Sequence, residues 1–372
     1  MTPDRRERLR VLLFGRYADE DFGGIERHVR NLVLAMKDDV AFTNLVAWRT
    51  SIAQDDTWPC PVYRSRALGV VASLPLCPGM PREARRLHRD QHFQIAHLHL
   101  PDPMSHYAAV SLPREVKLVV TWHSDIVRQK SVFAFYRPML KGLMARASFV
   151  IAPTPAHFDS MPQLASLATP EKRRVVPFGF DLERYRRPHP KASEIRQKIK
   201  APMVFALGRH VYYKGFDVLI RAMQNVPGAC LLLGGTGPLT GELKAMAGKN
   251  VHFVGRIPDE ELPAYYQACD VYCLPSVAPS EAFGIVQVEA MAAGKPVICT
   301  QLDNGVNWVN PEGPTVPPGD VQALASALNE VLKNPPATKN AERADRLFSL
   351  PALREATLAV YREALRDQVV PA

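Results

Sequence analysis

The sequence predicts an α/β protein built from two doubly wound parallel-sheet domains in series. Short apolar runs of strand length alternate with helical patterns, as expected for parallel strands whose crossover helices cover both faces of a sheet. The alternation restarts after a segment rich in turn formers, RRVVPFGFDLERY, which ends the first series near residue 180. With 372 residues, the chain is long for one hydrophobic core and suits two domains.

The first predicted domain, residues 1–180, opens with a strand, a loop that contains Gly23 and Gly24, and a helix that begins near IERHVRNLVLAM. A second helical pattern covers residues 136–147. The predicted strands are RVLLFG, FTNLVAW, FQIAHLHL, VKLVVTWH and SFVIAP.

The second predicted domain, residues 181–354, repeats this order of elements, and a last helix over residues 355–372 is expected to pack back on the first domain. Ligands of doubly wound sheets bind outside the carboxyl ends of the strands, so two such domains facing each other would form a cleft. The predicted strands are MVFALGRH, ACLLLGG, NVHFVGRI, VYCLPS and PVICT, and the helices are FDVLIRAM, DEELPAYYQA, the segment from Phe283 to Met291, and VQALASALNEVL.

Composition favours a cytoplasmic protein with reduced thiols. Hydrophobic residues make up 47% of the chain, yet no apolar run approaches the roughly 20 residues that span a bilayer, and the polar start MTPDRRERLR gives no export signal. The six cysteines form no C-x-x-C pair and lie mostly in apolar segments, which favours buried free thiols over disulfides or a zinc site.

The net charge of +9 belongs almost entirely to the first half. Residues 1–180 hold 25 Lys and Arg against 17 Asp and Glu, whereas the remainder holds 21 against 20. A basic face could bind nucleic acid, anionic lipid headgroups or a phosphorylated acceptor, and scattered solvated arginines are an equal alternative. No basic strip with interleaved aromatic residues supports nucleic acid. The excess lies in RRERLR, in Arg82, Arg85, Arg86 and Arg89, and in residues 172–174.

Glycine, histidine or cationic residues follow several predicted strands. Gly23 and Gly24 could let backbone amides approach a phosphate, and the turn GGTGP after another strand has the same property or is simply a turn. His123 follows VKLVVTW, where a catalytic and a structural role are equally consistent with the sequence. Arg209 and Lys214, in LGRHVYYKG, are two cations around one tight loop, which suits a diphosphate.

The segment SEAFGIVQVEAMAAGKP keeps two acids in an otherwise apolar stretch. A turn followed by a helix from Phe283 and Gly284 would place Glu281 at the carboxyl end of a strand and Glu289 inside the helix. One long ligand could then contact both acids and the amides of the helix N-terminus. The alternative is that Glu281 caps the helix and Glu289 is solvated.

These segments resemble the retaining glycosyltransferases of family GT4, whose GT-B architecture has two Rossmann-like domains facing across a cleft. The resemblance covers nearly the whole chain, and the E-x7-E segment and the Arg and Lys turn are its most specific parts. It implies transfer of a sugar from a nucleotide diphosphate donor, with the anomeric α configuration kept and without a metal or other cofactor. The similar segments are FGGIERHV, HLHLPDP, TWHSDIVRQK, GRHVYYKGFDVLI, LLLGGTGPL, VHFVGRIPDEEL, ACDVYCLPS and SEAFGIVQVE.

The resemblance also implies a role for each matching residue. Arg209 and Lys214 would hold the diphosphate, Glu281 would bind hydroxyls of the donor sugar, and Glu289 would bind the ribose hydroxyls. His123 would lie beside the sugar near its C6 group. In the front-face mechanism usually proposed for the family, the departing phosphate oxygen takes the acceptor's proton, so neither glutamate need be a base. The other implied donor-binding residues are Gly23, Gly24, Gly235, Arg256, Phe283, Gly284 and Ile285.

HLHLPDPM and HSDIVRQK are most similar to bacterial members that build O-antigen, capsule or exopolysaccharide from GDP-mannose, GDP-rhamnose or UDP-hexose donors. We expect a GDP-sugar rather than a UDP-sugar, and a saccharide acceptor linked to a lipid diphosphate. The basic first domain would then carry the acceptor side and contact the cytoplasmic face of the inner membrane.

Other functions are alternatives to this kind of sugar transfer. A nucleotide-sugar epimerase of the same fold would need acids or bases near the sugar carbons, and the E-x7-E segment argues against it. A metal-dependent transferase of the GT-A type would need a D-x-D motif, which Asp19, Glu20 and Asp21 could supply, but a solvated acidic loop explains them better. A non-catalytic scaffold that binds nucleic acid or a membrane is the third, and no recognition motif supports nucleic acid. A binding-only pseudoenzyme would be expected to have lost Arg209, Lys214 or Glu281, and all three are present.

Overall fold

The computed structural model describes residues 8–15, 24–48, 58–71, 74–125 and 130–366. The chain forms two compact units that divide between Phe180 and Asp181. The first unit contains Met1–Phe180 and Leu350–Ala372, and the second contains Asp181–Ser349. The last helix therefore belongs to the first unit, and it begins at Leu350, five residues earlier than the sequence predicted.

The first unit contains a parallel sheet of seven strands in the order β3-β2-β1-β6-β7-β8-β9, beside a small antiparallel pair, β4 and β5. The strands are β1 (Leu9–Gly15), β2 (Val40–Trp48), β3 (Val62–Arg66), β4 (Val70–Val71), β5 (Leu74–Pro75), β6 (Ile95–Leu100), β7 (Lys117–Trp122), β8 (Phe149–Ala152) and β9 (Arg173–Val175). The helices are α1 (Gly24–Met36), α2 (Met80–Gln91), α3 (Pro103–Val110), α4 (Lys130–Arg146), α5 (Pro155–Ser160), α6 (Pro162–Leu167) and α16 (Leu350–Arg366).

The second unit contains a parallel sheet of six strands in the order β12-β11-β10-β13-β14-β15. The strands are β10 (Met203–Leu207), β11 (Cys230–Gly234), β12 (Val251–Gly255), β13 (Val271–Leu274), β14 (Val297–Thr300) and β15 (Thr315–Val316). The helices are α7 (Glu183–Arg186), α8 (Pro190–Lys198), α9 (Phe216–Ala222), α10 (Thr240–Met246), α11 (Leu262–Ala268), α12 (Ile285–Ala292), α13 (Gly305–Val309), α14 (Val321–Lys333) and α15 (Asn340–Phe348).

Both faces of each sheet are buried, which explains why the strands are apolar at successive positions. In β1, Leu12 and Phe14 lie in the core on one face, whereas Val11 and Leu13 lie in the core on the other. In β10, Val204 belongs to one core, while the neighbouring Phe205 belongs to an aromatic cluster on the opposite face. The predicted doubly wound parallel-sheet fold is therefore confirmed in both units.

Helix α16 docks on the first unit through polar and apolar contacts. Tyr361 is fully buried, and its hydroxyl lies 2.7 Å from Nδ1 of His97. The Arg354 guanidinium makes two hydrogen bonds of 2.6 Å to the carboxylate of Asp39. The chain thus returns to its first unit after completing the second.

Each strand order reverses direction once, and the reversal marks the place where doubly wound sheets bind ligands. In the first sheet the reversal falls between β1 and β6, and in the second it falls between β10 and β13. At such a point the loops leave two neighbouring strands in opposite directions and open a crevice at the carboxyl edge. The residues that follow these four strands are therefore the first candidates for a site.

All six cysteines are free, in agreement with the sequence-based expectation. Within the described residues, no helix combines the length and apolar character that crossing a membrane would require.

Candidate functional site

In the second unit, the loop after β10 packs directly on the segment after β13. Gly215 has φ +64°, and a Cβ atom there would lie 2.1 Å from the carbonyl oxygen of Pro275, so the close approach requires glycine. The Val277 amide donates to the carbonyl of Tyr213 at 2.8 Å. These contacts hold the two loops at the carboxyl edge of the sheet at its reversal point.

This packing joins Lys214 to Glu281. The lysine Nζ donates to Oε2 of Glu281 at 2.5 Å, and both side chains are only 11% exposed. The Ser276 hydroxyl donates to the same carboxylate oxygen at 3.2 Å, and the Asn304 amide donates to the backbone carbonyl of Glu281 at 2.8 Å. The site therefore presents a cation and an anion in fixed positions, each partly neutralising the other.

A second loop pair lines the same edge. Gly235 has φ +101°, and a Cβ atom there would lie 2.0 Å from the Gly208 carbonyl oxygen. The His210 amide donates to the carbonyl of Thr236 at 3.0 Å, which ties the turn GGTGP to the β10 loop. The Arg209 side chain projects from this loop as an exposed residue. The β10 loop therefore carries the exposed Arg209 as well as Lys214, and the glycine turn packs against this loop.

Two more predicted donor-binding residues follow the neighbouring strands. Arg256 is exposed and follows β12, and the preceding Gly255 accepts from the Gly235 amide at 2.7 Å. Gly284 adopts φ +72° as the N-cap of α12, and Ile285 begins that helix. Phe283 is buried and packs edge-on against Phe348, so its ring belongs to the core.

Glu289 lies inside α12, as predicted, but it is buried rather than solvated. The Tyr185 hydroxyl donates to one carboxylate oxygen at 2.8 Å and the Tyr266 hydroxyl to the other at 2.7 Å. Burial, followed by the nearby Glu289 charge, raises the pKa of both tyrosines, so they remain hydroxyl donors. The ribose contact assigned to Glu289 stays a prediction, and it would have to use lone pairs that the tyrosines leave available.

In the first unit, His123 follows β7 as predicted and is partly exposed. Its Nε2 lies 3.0 Å from Nδ1 of His99, whose ring stacks on His97 at 4.6 Å between centroids. The His28 ring lies 5.4 Å from that of His123, and Phe178 packs against both. His123 is therefore one member of a group of neighbouring rings.

Desolvation favours the neutral form of all four histidines, of which His28, His97 and His99 are buried. Burial lowers the pKa of His28 to about 4 and that of His97 to about 3, and it lowers the pKa values of His99 and His123 well below the ordinary range. Nearby imidazoles lower these values further in His97, His99 and His123. Their ring nitrogens can therefore act as hydrogen-bond partners or metal ligands at neutral pH.

The remaining predicted site residues lie at the start of α1. Gly24 is exposed and is the first residue of that helix. Gly23 lies outside the described residues, as do Asp19, Glu20 and Asp21 of the D-x-D pattern.

Sequence reasoning missed several residues that shape the site. Tyr185, Tyr266, Ser276 and Asn304 contact the two glutamates from four separate segments, so no local pattern identifies them. The HLH segment could have identified two neighbouring histidines, because His97 and His99 are two positions apart in β6 and must point to one face of the sheet.

Comparison with known proteins gives matches over both units. Residues 22–184 match the family model described as Glycosyltransferase Family 4, and residues 190–347 match the one described as Glycosyl transferases group 1. The chain is similar to D-rhamnosyltransferase WbpZ of Pseudomonas aeruginosa, with 30% identity over 339 residues that cover 88% of this chain and 87% of that protein.

A second relative and a solved structure are also similar to this chain over most of its length. The O-antigen chain mannosyltransferase C of Escherichia coli is 27% identical over 340 residues, which cover 88% of this chain and 89% of that protein. A sucrose-phosphate synthase from Thermosynechococcus elongatus is similar in structure, with a TM-score of 0.77 and 25% identity over 97% of this chain and 100% of that chain.

Proposed function

Because the chain belongs to the glycosyltransferases of family 4, with the GT-B fold, we propose that it moves a hexose from a GDP-sugar to a saccharide acceptor with the anomeric configuration retained. Mannose or rhamnose is the proposed sugar, since the relatives named above are a D-rhamnosyltransferase and an O-antigen chain mannosyltransferase. No metal ion takes part in the proposed transfer.

The Lys214–Glu281 pair carries this proposal. It fixes a cation and a carboxylate 2.5 Å apart at the reversal point of the second sheet, where the proposed donor would bring its diphosphate and its sugar together. Lys214 would contact the diphosphate, and Glu281 would accept hydrogen bonds from sugar hydroxyls. Holding both groups before the donor binds reduces the reorganisation needed during transfer.

Arg209 supplies the second cation for the leaving group. Its side chain is exposed and shares a loop with Lys214, which supports a role in closing on the diphosphate. Two cations would stabilise the charge that develops on the departing phosphate, and the departing phosphate oxygen would take the proton of the acceptor hydroxyl. Glu289, held by two tyrosines, would contact the ribose, and His123 would contact the sugar.

The proposed acceptor is a saccharide linked to a lipid diphosphate at the cytoplasmic face of the inner membrane. The positive charge of the first 180 residues supports contact with an anionic headgroup or acceptor phosphate. Helix α2 carries four arginines of this excess, and Arg82 and Arg85 line a surface hollow together with the exposed Tyr107.

A binding experiment separates the assigned roles. The purified chain would be titrated by thermal shift with GDP, GDP-mannose, UDP and UDP-glucose without metal, since a ligand at 100 times its Kd stabilises by about 2.7 kcal/mol. We expect GDP and GDP-mannose to stabilise the wild type. Glu281→Gln should weaken binding of GDP-mannose but not of GDP, whereas Arg209→Met should weaken both.

Lys249→Met, in an exposed loop of the same unit, is the matched control and should bind as the wild type. Transfer would be measured with the same variants. Unchanged GDP binding by Arg209→Met, together with unchanged transfer by Glu281→Gln, would contradict the assigned site.

A further inference from the structure

The histidine trio, defined as His28, His99 and His123, brings ring nitrogens from three elements within 4.8 Å of one another. His28 lies in the second turn of α1, His99 near the carboxyl end of β6, and His123 directly after β7. The order of the first sheet reverses between β1 and β6, so the trio occupies the edge where this sheet would bind a ligand.

Two nitrogens of the trio have no hydrogen-bond partner among the described residues. His28 Nδ1 and His99 Nε2 are buried, and neither has a partner within the part of the chain that the structure describes. The two side chains are only 8% and 3% exposed. Since buried polar atoms are nearly always bonded, the His28 Nδ1 atom indicates a missing partner beside the trio. If His99 binds that partner through Nδ1, its Nε2 atom points elsewhere and takes no part in the same contact.

The spacing of the trio suits a metal ion. His99 Nδ1 and His123 Nε2 are 3.0 Å apart. This distance fits an N–H···N hydrogen bond between the two rings. It is also close to the distance between two nitrogen ligands of a tetrahedral ion, which is about 3.4 Å for Zn–N bonds of about 2.0–2.1 Å. The ligand atoms of the trio lie within 4.8 Å of one another, so the third nitrogen would have to move closer to the other two when an ion binds.

Neighbouring residues fix the rings of the trio in place. His97 stacks on His99, and its own nitrogens are both occupied, by the Tyr361 hydroxyl and the Thr121 hydroxyl at 2.7 Å each. Phe178 packs against His28 and, in parallel, against His123. Outer contacts that orient ligating imidazoles raise metal affinity.

We propose that His28, His99 and His123 bind one divalent transition-metal ion of the zinc type through three imidazole nitrogens. Imidazole sets of this kind favour zinc, copper and nickel over magnesium or calcium, which prefer oxygen ligands. Three protein ligands leave one tetrahedral position for water or another small ligand, on the side where His123 is partly exposed.

An occupied site would oppose sugar transfer rather than support it. This consequence rests on the proposed function, in which His123 contacts the donor sugar. A metal ion bound to His123 would hold that ring away from the sugar, so Zn²⁺ would act as an inhibitor of the first unit and not as a partner of the diphosphate in the second.

Zinc binding to the full-length chain is the direct test. Metal-free protein would be titrated with ZnCl₂ against a chelating indicator, and we expect one ion per chain. His28→Gln and His99→Gln should each weaken binding at least tenfold. His252→Gln, an exposed histidine of the second unit, and Cys60→Ser, at the half-buried thiol, should bind as the wild type.

X-ray absorption of the zinc-loaded wild type keeps the test independent of folding in the variants. We expect three imidazole nitrogens at about 2.0–2.1 Å from the ion. A zinc shell with fewer than two imidazoles, or full affinity in both His28→Gln and His99→Gln, would overturn the proposal. Neither readout needs sugar transfer, so a chain that binds zinc here but transfers no sugar would keep this site and lose the proposed function.

Discussion

At the scale of single residues, the ion pair between Lys214 and Glu281 determines how the site should be tested. Both side chains are nearly buried, so removing one partner leaves the other as an uncompensated charge. An alanine at either position would therefore mix a loss of stability with a loss of function. Glu281→Gln keeps the size of the side chain and an oxygen that accepts from Lys214, which makes it the better variant for binding studies.

The ion pair also predicts that substitutions of Lys214 and Glu281 are strongly coupled in their effects on the free energy of unfolding. Lys214→Met should lower the free energy of unfolding by about 3–5 kcal/mol, because Glu281 would keep only the Ser276 hydroxyl as a polar partner of its carboxylate among the contacts described. Lys214→Met combined with Glu281→Gln should recover much of that loss. Urea denaturation of the two single variants and the double variant measures the coupling.

A matched cycle on Asp217 and Arg221 is the control, because this pair is close to half-exposed and joins positions i and i+4 of one helix. Its coupling should be no more than about 0.5 kcal/mol. Equal coupling energies in the two cycles would contradict the prediction that the buried pair stabilises the second unit more than an exposed pair does.

At the scale of secondary-structure elements, the sequence predicted most strands of both sheets, including the edge strand β12, but missed the edge strands β3, β9 and β15. Central strands such as β6 and β13 are buried along their whole length because helices cover both faces, and their mostly apolar sequences allow them to be predicted. Strands β9 and β15 have three and two residues and are only partly buried, so their sequences carry no comparable pattern.

For the candidate site, the sequence predicted which residues follow the strands but not the contacts they make with distant parts of the chain. Residues placed at strand ends by local sequence, such as Arg209, Lys214 and Glu281, lie where the pattern put them in the second unit. The partners of Glu281 and Glu289 were not predictable, because Tyr185 and Asn304 reach them from 104 and 23 residues away in the chain. Their positions depend on packing between helices rather than on local spacing.

The close loop contact at Gly235 predicts that one added methyl group will lower both stability and GDP binding. A Cβ atom at this position would overlap the Gly208 carbonyl, and its φ of +101° is unfavourable for any other residue. Gly235→Ala should therefore lower the melting temperature and weaken GDP binding, because the β10 loop with Arg209 would have to move. Thermal unfolding with and without GDP measures both effects.

Gly241→Ala is the control, since this glycine lies in α10 and a Cβ atom there would meet nothing within 4 Å. It should be neutral or stabilise by up to about 1 kcal/mol. A Gly235→Ala variant that melts and binds like Gly241→Ala would contradict the assigned close contact.

At the scale of the whole molecule, charge and titratable groups are unevenly distributed. The positive excess lies in the first 180 residues, and so do most of the histidines whose pKa values burial lowers. In the second unit, burial lowers the pKa of one histidine, His210, among the described residues. Acidification should therefore affect the two units differently.

The first unit should lose stability in mild acid. His106 and His157 are buried beside the Tyr136 and Thr154 hydroxyls, and burial lowers the pKa of each to about 4. Between pH 6.5 and 4 the unfolded chain binds more protons at these residues than the folded one, so the free energy of unfolding falls as the pH falls. From pH 7 to pH 5, the burial of each of these two histidines should lower the free energy of unfolding by about 2 kcal/mol.

Hydrogen exchange should thus show protection lost first in the first unit. His106→Gln or His157→Gln should reduce this pH dependence, whereas His252→Gln, at an exposed position, should leave it unchanged. Loss of protection in the second unit first would contradict the argument, because it would mean that the burial of these imidazoles does not control stability in acid.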